Sequence, residues 1–273
     1  MYRWKTWSSK KSPSSNNQLV PGPSAPRPSL VTTTLFISDL HLDARRPAVT
    51  RLFLDFLADL DPQHCAGLYI LGDLFEAWIG DDDDDAHYQQ VLSGLRATTQ
   101  RGVPIWVMHG NRDFLIGADF AQATGCTLLA DPTLINLDGT PTLLMHGDTL
   151  CTDDHEYLQF RQMVRNPDWQ RQFLAKPLAE RRRIAADLRE TSRQRTGEKQ
   201  AEIMDVSQLT VLETLQQHGV TRLIHGHTHR PAIHQLTLGG QPAQRIVLGD
   251  WYEQGSLLRC ENGTLQLLNL RLH

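Results

Sequence analysis

The sequence predicts an α/β fold in which two β-sheets are sandwiched between helices. Short apolar runs bounded by polar or glycine residues indicate buried strands, and the stretches between them have the apolar spacing of amphipathic helices. A block of Asp, Asn, His and Gly residues follows each predicted strand. Because ligands of α/β proteins gather at the carboxyl ends of the strands, these blocks are expected to meet at one edge.

Five strands and three helices are predicted before the C-terminal part of the chain. The strands are Thr34–Ser38, Leu68–Leu71, Ile105–Met108, Thr142–Met145 and Leu223–Ile224. The helices are Pro47–Leu60, Asp84–Thr99 and Val206–His218. From Ala243 to Leu272 the pattern indicates strands and turns, since glycines and an Asn-Gly pair interrupt the apolar runs.

Composition narrows the class of protein. At 273 residues the chain can bury the core of one large domain, and its formal net charge of −4 argues against a strongly basic nucleic-acid binder, although a local basic patch stays possible. The four cysteines are widely spaced without a CxxC pair, which predicts reduced thiols in the cytosol. No run approaches the roughly 18 to 20 apolar residues of a transmembrane helix, so we expect any membrane contact to be peripheral.

The chain divides by composition near residue 32. Residues 1–32 are rich in Ser, Pro and Asn, are basic and contain no acid, which predicts a disordered extension or an over-called start codon. Residues 33–273 are expected to form the folded domain. Within it, about 154–204 is both apolar and rich in arginine and predicts helices.

Seven side chains in the five blocks are candidate ligands for two divalent metal ions: Asp39, His41, Asp73, Asn111, His146, His225 and His227. Carboxylate, amide and imidazole donors without a thiolate form an oxygen and nitrogen site of the kind that hydrolyses phosphate esters or anhydrides. Asp39 and His41 are two apart and would share one face of a strand, while Asp73 is the predicted bridge between the ions. Each block alone is typical of a turn; their order together is far more specific.

Neighbouring residues in the blocks have predicted supporting roles. Asp113 and Asp148 are expected to orient the ligands. Gly72, Gly110, Gly147 and Gly226 would let the backbone turn sharply beside the metals.

The order Asp-x-His, Gly-Asp, Gly-Asn-x-Asp, His-Gly-Asp and Gly-His-Thr-His resembles the calcineurin-like metallophosphoesterase superfamily. The resemblance implies a four-layer α/β/β/α sandwich, here with an inserted helical cap at about 154–204. It also implies two metal ions, with one ligand set of Asp39, His41, Asp73 and His227 and another of Asp73, Asn111, His146 and His225. Mn²⁺ is the expected metal, while the donor set alone also admits Mg²⁺, Fe²⁺ or Zn²⁺.

One departure from the superfamily bears on the substrate. The residue after Asn111 is usually His and is Arg112 here, and a guanidinium grips phosphate oxygens bidentately. Longer strings, such as Leu71-Gly-Asp-Leu-Phe-Glu-Ala-Trp78, are similar to a branch that cleaves the pyrophosphate of a UDP-linked diacylated glucosamine in the lipid A pathway of Gram-negative bacteria. That similarity implies peripheral location on the cytoplasmic face of the inner membrane, with no nucleic acid or obligate protein partner.

The resemblance also assigns site residues. The catalytic ones are Asp73, Arg112 and His225. The expected substrate contacts are Asn111, Arg112, Asp154, Tyr157, Ser192, Thr196, Lys199 and His225, with Thr196 in a position where the family has Asn. Water activated at the two metals is expected to attack the phosphorus on the uridine side, with Arg112 stabilising charge on the phosphate oxygens.

Several alternatives stay open. The helical segment is either a core-facing helix, a solvated basic face, or a cap that covers two acyl chains and meets anionic lipid headgroups. The acidic run Asp81 to Asp85 is expected to be a solvated loop leading into a helix. The same metal core is able to serve a nucleotide, phosphoprotein or nucleic-acid hydrolase, and a scaffold without metals is the non-enzymatic alternative.

Overall fold

A computed structural model of the protein describes residues 32–198 and 205–271, with the side chains at 193 and 195–198 outside the description. The predicted extension over 1–32 therefore lies almost wholly outside the described residues. Lys199 and the Thr196 side chain, two expected substrate contacts, lie outside them as well.

Eleven strands form two sheets within the described part of the chain. In chain order they are β1 Thr33–Ile37, β2 Cys65–Leu71, β3 Ile105–Met108, β4 Thr127–Leu129, β5 Thr133–Leu137, β6 Thr140–Met145, β7 Arg222–His225, β8 Ala232–Leu238, β9 Gln241–Val247, β10 Gly255–Glu261 and β11 Thr264–Leu270. The first sheet has the order β11-β10-β1-β2-β3-β4 and the second β5-β6-β7-β9-β8. The five predicted strands are confirmed to within three residues at each end.

Helices lie on the outer faces of the sheets and in the segment between β6 and β7. In chain order they are α1 Pro47–Asp59, α2 Ala86–Gln100, α3 Ala118–Thr124, α4 His155–Val164, α5 Pro167–Leu174, α6 Leu178–Glu198 and α7 Gln208–His218. The three predicted helices correspond to α1, α2 and α7. Local signals set their ends: Pro47 occupies the first turn of α1, Asp85 caps α2, and Ser207 accepts a hydrogen bond from the Thr210 amide at the start of α7.

Three buried apolar clusters define four layers. The first joins α1, α2 and α3 to the first sheet through residues such as Phe53, Leu95 and Phe120. The second contains residues of both sheets and fills the space between them, and the third joins α7 to the second sheet. The predicted α/β/β/α sandwich is thereby confirmed, since each amphipathic helix covers the outer face of a sheet.

Helices α4, α5 and α6 occupy the segment predicted as an inserted cap, and we use the name cap for residues 154–198. Asp154 and Asn166 cap the first two helices by accepting backbone amide hydrogen bonds. Several cap arginines turn towards the sandwich: the Nη2 atom of Arg165 donates to the Gly110 carbonyl at 2.8 Å, and Arg161 pairs with Asp148. These arginines do not form the solvated basic face that was one reading of the sequence.

The acidic run leads into α2, as expected, but it is more than a solvated loop, because it also pairs with the cap. Arg181 on α6 is 2% exposed and donates to both carboxylate oxygens of Asp82 and to the Ile79 carbonyl. Arg182 pairs with Asp83 and Asp84. Repulsion among Asp82, Asp83 and Asp84 is reduced because all three face guanidinium groups of the cap, which a local reading of the sequence does not reveal.

Two further expectations concern cysteines and membranes. Cys65, Cys126, Cys151 and Cys260 are all buried, and none of them is in a disulfide. No helix in the described ranges is both long and apolar enough to cross a bilayer.

Candidate metal centre and substrate cavity

The predicted ligand blocks meet at the carboxyl ends of adjacent strands. Strands β1, β2 and β3 are parallel neighbours, so the turns that carry Asp39, Asp73 and Asn111 lie side by side. Strands β6 and β7 are parallel neighbours in the second sheet and lead into His146 and the Gly226 turn. This convergence is the arrangement expected from the sequence.

Unusual backbone conformations mark the same place. Asp39, His41, Asp73, His227 and His229 all have positive φ, between 48° and 69°. Non-glycine residues rarely adopt this region, and such outliers cluster where function fixes a side chain. Elsewhere in the described residues, positive φ without glycine occurs at Asp138 and Asn262, which each precede a turn glycine.

The first group of donor atoms belongs to Asp39, His41 and His229. The His41 and His229 Nε2 atoms are 3.2 Å apart, and the His229 Nε2 atom is 3.3 Å from the Asp39 Oδ1 atom. Ligands about 2.1 Å from a cation at right angles to each other stand about 3 Å apart. These separations therefore fit three ligands of one divalent ion.

The second group belongs to Asn111, His146 and His227. The Asn111 side-chain oxygen is 3.0 Å from His146 Nε2 and 3.1 Å from His227 Nδ1. In this orientation the Asn111 oxygen faces only acceptor atoms, which is the arrangement of ligands around a shared cation. Rotating the amide by 180° would instead place its nitrogen there as a hydrogen-bond donor. The His146 Nδ1 atom is 2.9 Å from the Leu71 carbonyl, which fixes the ring with Nε2 directed at the group.

Asp73 stands between the two groups. Its Oδ2 atom is 3.8 Å from His146 Nε2, and Asp39, Asp73 and His146 offer donor atoms that all lie within 4.8 Å of one another. Its Oδ1 atom accepts a hydrogen bond from the Arg112 amide at 2.8 Å. A carboxylate in this position reaches both groups, which is the place expected of a bridging ligand.

The histidines after β7 differ in placement from the sequence-based pairing. His229 takes the place beside Asp39 and His41 that was expected for His227, and His227 takes the place beside Asn111 and His146 that was expected for His225. His225 ends β7 and is fully buried; its Nδ1 atom is 2.8 Å from the Gly226 carbonyl. The reason is the turn at positions 226 to 229, where positive φ at His227 and His229 directs their side chains to the donor groups.

Backbone hydrogen bonds hold the ligand turns in register. The Asp113 carboxylate accepts from the Gly110 amide at 2.7 Å and from the Leu74 amide at 2.7 Å, which ties the turn after β3 to the turn after β2. A Cβ atom on Gly110 would lie 2.1 Å from Asp73 Oδ1, so this position admits glycine alone. The expected supporting roles of Asp113 and Gly110 agree with these contacts.

The protonation states of the buried histidines in the two donor groups suit cation binding. Burial lowers the pKa of His227 to about 4, and burial also lowers the pKa of His41 well below its ordinary value, so both rings are neutral near pH 7 and can donate a lone pair to a cation. Burial opposes protonation of His146 too, but the carboxylates of Asp73, Asp148 and Asp39 raise its pKa to about 9. A concentration of buried carboxylate charge that draws a proton onto a histidine is also suited to a divalent cation.

The calcineurin-like phosphoesterase family model matches residues 32–231. The chain belongs to the calcineurin-like phosphoesterase family. The match confirms the family predicted from the five blocks, and with it the expectation of a hydrolase that uses divalent metal ions.

Several relatives of this phosphoesterase carry the same name. A UDP-2,3-diacylglucosamine hydrolase of Cellvibrio japonicus is 55% identical over 236 residues, which cover 86% of this chain and 98% of that protein. Proteins of the same name from Xanthomonas campestris and Klebsiella pneumoniae are 53% and 50% identical, over 88% and 86% of this chain and 100% and 98% of theirs.

A cavity of the phosphoesterase lies between the cap and the metal-ligand turns. Its walls are mainly apolar. Its lining includes Trp78, Ile79, Asn111, Arg112, Phe114, Leu115, Asp154, Tyr157, Phe160, Trp169, Phe173, Leu188, Arg189 and Ser192. The expected substrate contacts Asn111, Arg112, Asp154, Tyr157 and Ser192 are thus brought together, whereas His225 is not in the lining.

Tyr157 has a second role in this cavity wall. Its hydroxyl donates to the Asp148 carboxylate, which also accepts from the Arg161 Nε atom at 2.7 Å. The Tyr157 ring lies 5.9 Å from the His227 ring, centroid to centroid. Helix α4 is therefore tied directly to the metal-ligand turns, and Asp148 connects the cap to the ligands as a supporting residue.

Two residues at this site were missed by the sequence reasoning. His229 follows His227 by two residues, the same spacing that separates Asp39 from His41. That spacing is the signal in the sequence that points to His229. Glu76 was missed because an acid after Leu-Phe has no local signature. It is 8% exposed, and its Oε1 atom accepts from Arg112 Nη1 at 3.3 Å and from Arg189 Nη2 at 2.7 Å.

Proposed function

We propose that the protein hydrolyses the pyrophosphate bond of UDP-2,3-diacylglucosamine to UMP and 2,3-diacylglucosamine 1-phosphate, a step of lipid A biosynthesis. The observation that carries the proposal is the mainly apolar cavity whose lining includes Asn111 and Arg112, beside the metal-ligand groups. Such a cavity suits acyl chains, while the polar side chains of Asn111 and Arg112 suit a phosphate. The names of the relatives support the same substrate.

In this proposal the metal ligands are Asp39, His41, Asp73 and His229 for one ion and Asp73, Asn111, His146 and His227 for the other. The histidine pairing replaces the one expected from the sequence. Mn²⁺ is the proposed metal. Bound divalent ions supply Lewis-acid activation of water and of the phosphate oxygens.

Arg112 is proposed to hold the pyrophosphate. Its guanidinium is near the bridging carboxylate, with Nε 3.9 Å from Asp73 Oδ2, and it lines the cavity wall. A guanidinium stays charged through catalysis and stabilises negative charge on phosphate oxygens. Glu76 positions it through the Nη1 contact at 3.3 Å.

Asp154, Tyr157 and Ser192 remain proposed contacts of the glucosamine and its acyl chains. Thr196 and Lys199, whose side chains lie outside the described part of the chain, remain proposed substrate contacts on the sequence alone. His225 is proposed to support the turn after β7 from within the core. It was expected to be a catalytic and substrate-binding residue, but burial lowers its pKa to about 3 and its side chain is fully enclosed.

Peripheral contact with the cytoplasmic leaflet of the inner membrane is part of the proposal, because the substrate is a membrane lipid. Met163 on α4 and Leu174 on α5 support it, with 47% and 41% of their surfaces exposed on the cap. Apolar side chains of this kind bind the interface between headgroups and acyl chains.

The test is product analysis by mass spectrometry with the purified chain, UDP-2,3-diacylglucosamine and each of Mn²⁺, Mg²⁺, Fe²⁺ and Zn²⁺. We expect UMP and the lipid 1-phosphate, with the fastest release in Mn²⁺. UDP-N-acetylglucosamine and a simple phosphodiester serve as control substrates, because neither has the two acyl chains that the apolar cavity is proposed to bind. Equal or faster cleavage of the controls would contradict the proposed substrate.

A further inference from the structure

A second cavity adjoins the metal-ligand groups. Its lining is charged, whereas that of the first cavity is mainly apolar. It is lined by Arg45, Arg46, Glu76, Arg112, Arg189, Ser192 and Tyr252. Four guanidinium groups and one carboxylate give it a formal charge of +3. Such an excess of positive charge in one cleft attracts anions.

This arginine cavity borders the first donor group. The Tyr252 ring stacks on the His41 ring with centroids 5.3 Å apart and planes 7° apart. The Glu76 Oε2 atom is 3.7 Å from His41 Nδ1. The apolar cavity, in contrast, is bordered by Asn111 of the second donor group. Each cavity therefore adjoins a different donor group.

Three residues belong to both cavities. Arg112, Arg189 and Ser192 line the apolar cavity and the arginine cavity alike. A molecule that extends from one cavity into the other passes these side chains and the adjacent donor groups. The apolar end and the polar end of such a molecule would be joined at Arg112.

The charges in the arginine cavity differ in how they are neutralised. Arg112 and Arg189 share the Glu76 carboxylate, and Arg45 pairs with Asp43 through Nε at 2.8 Å and Nη2 at 2.7 Å.

Arg46 has no carboxylate partner among residues 32–198 and 205–271. Its guanidinium carbon lies 4.5 Å from the centre of the Tyr252 ring, and its Nη2 atom donates to the His41 carbonyl. Its Nη1 atom is buried and has no hydrogen-bond partner within those residues. A buried donor without a hydrogen-bond partner is destabilising, so an anionic ligand that accepted from Arg46 would be bound favourably.

We infer that the arginine cavity binds the nucleoside monophosphate half of the substrate, with Arg46 as its principal phosphate contact and Arg45 as a weaker one. This inference rests on the proposed function, in which a pyrophosphate joins a nucleotide to an acylated sugar. Such a substrate needs two unlike cavities with the scissile bond between them. Guanidinium groups match phosphate oxygens in both charge and geometry.

The assignment gives the substrate a direction across the site. The nucleotide lies on the side of Asp39, His41 and His229, and the acylated sugar lies on the side of Asn111. The pyrophosphate passes Arg112, which lines both cavities.

The experiment measures UMP affinity of the full chain loaded with Mn²⁺, by calorimetry and by product inhibition of UDP-2,3-diacylglucosamine hydrolysis. Arg46→Gln is expected to weaken UMP binding about tenfold or more, as for loss of a charge-assisted hydrogen bond. Arg45→Gln is expected to weaken it about threefold, since Asp43 already neutralises that guanidinium. Affinity for 2,3-diacylglucosamine lacking phosphate should not change in either variant.

The matched control is Arg183→Gln, which removes an exposed cap guanidinium that pairs with Asp187 within α6. Metal content is measured for every variant, because Arg46 also contacts the His41 carbonyl; Arg45 touches no metal-ligand residue among its hydrogen bonds.

Two results would overturn the inference: unchanged UMP affinity in both arginine variants with metal retained, or weaker binding of the lipid with unchanged UMP binding. Failure of the wild-type chain to cleave UDP-2,3-diacylglucosamine would instead refute the proposed function, so the two failures are distinguishable.

Discussion

Arg189 on the cap helix α6 donates to the Glu76 carboxylate in the turn after β2, through Nη2 at 2.7 Å and Nε at 3.1 Å. The same Oε1 atom accepts from Arg112 at 3.3 Å. One carboxylate therefore connects the cap to the arginine beside the metal-ligand groups. The position of the cap and the position of Arg112 are therefore linked through Glu76.

Glu76→Gln is expected to lower kcat by about tenfold or more with both metals retained. The amide keeps the size of the side chain but removes the charge that orients two guanidinium groups, and small misplacement of a positioning group has large kinetic effects. Steady-state kinetics with metal analysis measures this. Asp187→Asn, which removes an exposed carboxylate of the cap, is the control; an unaltered kcat in Glu76→Gln would rule out the positioning role.

Arg181→Ala is expected to reduce the free energy of unfolding by about 2 kcal/mol. The guanidinium is 2% exposed and the substitution removes its hydrogen bonds to Asp82 and to the Ile79 carbonyl. Urea denaturation measures the change. Arg183→Ala, whose 69% exposed side chain pairs within the helix, should change stability by less than about 0.5 kcal/mol. Equal effects would show that the acidic run does not hold the cap.

His229→Ala is expected to reduce bound metal from two ions towards one ion per chain, because it removes a donor of the group with Asp39 and His41. His225→Ala is expected to retain both ions, since that ring lies outside both donor groups. Elemental analysis after dialysis against Mn²⁺ measures the number of bound ions per chain in both variants. Loss of metal from His225→Ala but not from His229→Ala would restore the pairing expected from the sequence.

Metal binding is expected to release protons and to strengthen as pH rises from 6 to 9. In the metal-free protein the carboxylates of Asp73, Asp148 and Asp39 outweigh burial and raise the pKa of His146 to about 9, so its ring is protonated near neutral pH. A metal ligand must be neutral imidazole, and the ion therefore competes with that proton. Calorimetry in buffers of different ionisation enthalpy counts the protons. Affinity independent of pH over this range would contradict the expected competition.

The sequence alone determined the chemistry of this protein. Asp39, Asp73, Asn111 and His146 were identified from residue type and position after predicted strands, and the family followed from their order. These are local properties: a strand shows in a few apolar residues, and the donor atoms of a side chain do not depend on its surroundings.

Tertiary structure decided which donors meet. His41 and His229 are 188 positions apart and their ring nitrogens are 3.2 Å apart, a closeness that depends on the backbone turns after β1 and β7. The choice between His225, His227 and His229 could not be made from spacing alone.

The same limit applies to Glu76 and to the acidic run, whose partners Arg189 and Arg181 lie on the cap, about a hundred residues further along the chain. It also applies to the arginine cavity, which joins Arg45 and Arg46 to Arg189 of the cap and to Tyr252. The physical reason is that charge pairing and cavity shape depend on distances between separate elements, which packing of the helices on the sheets sets and local sequence does not.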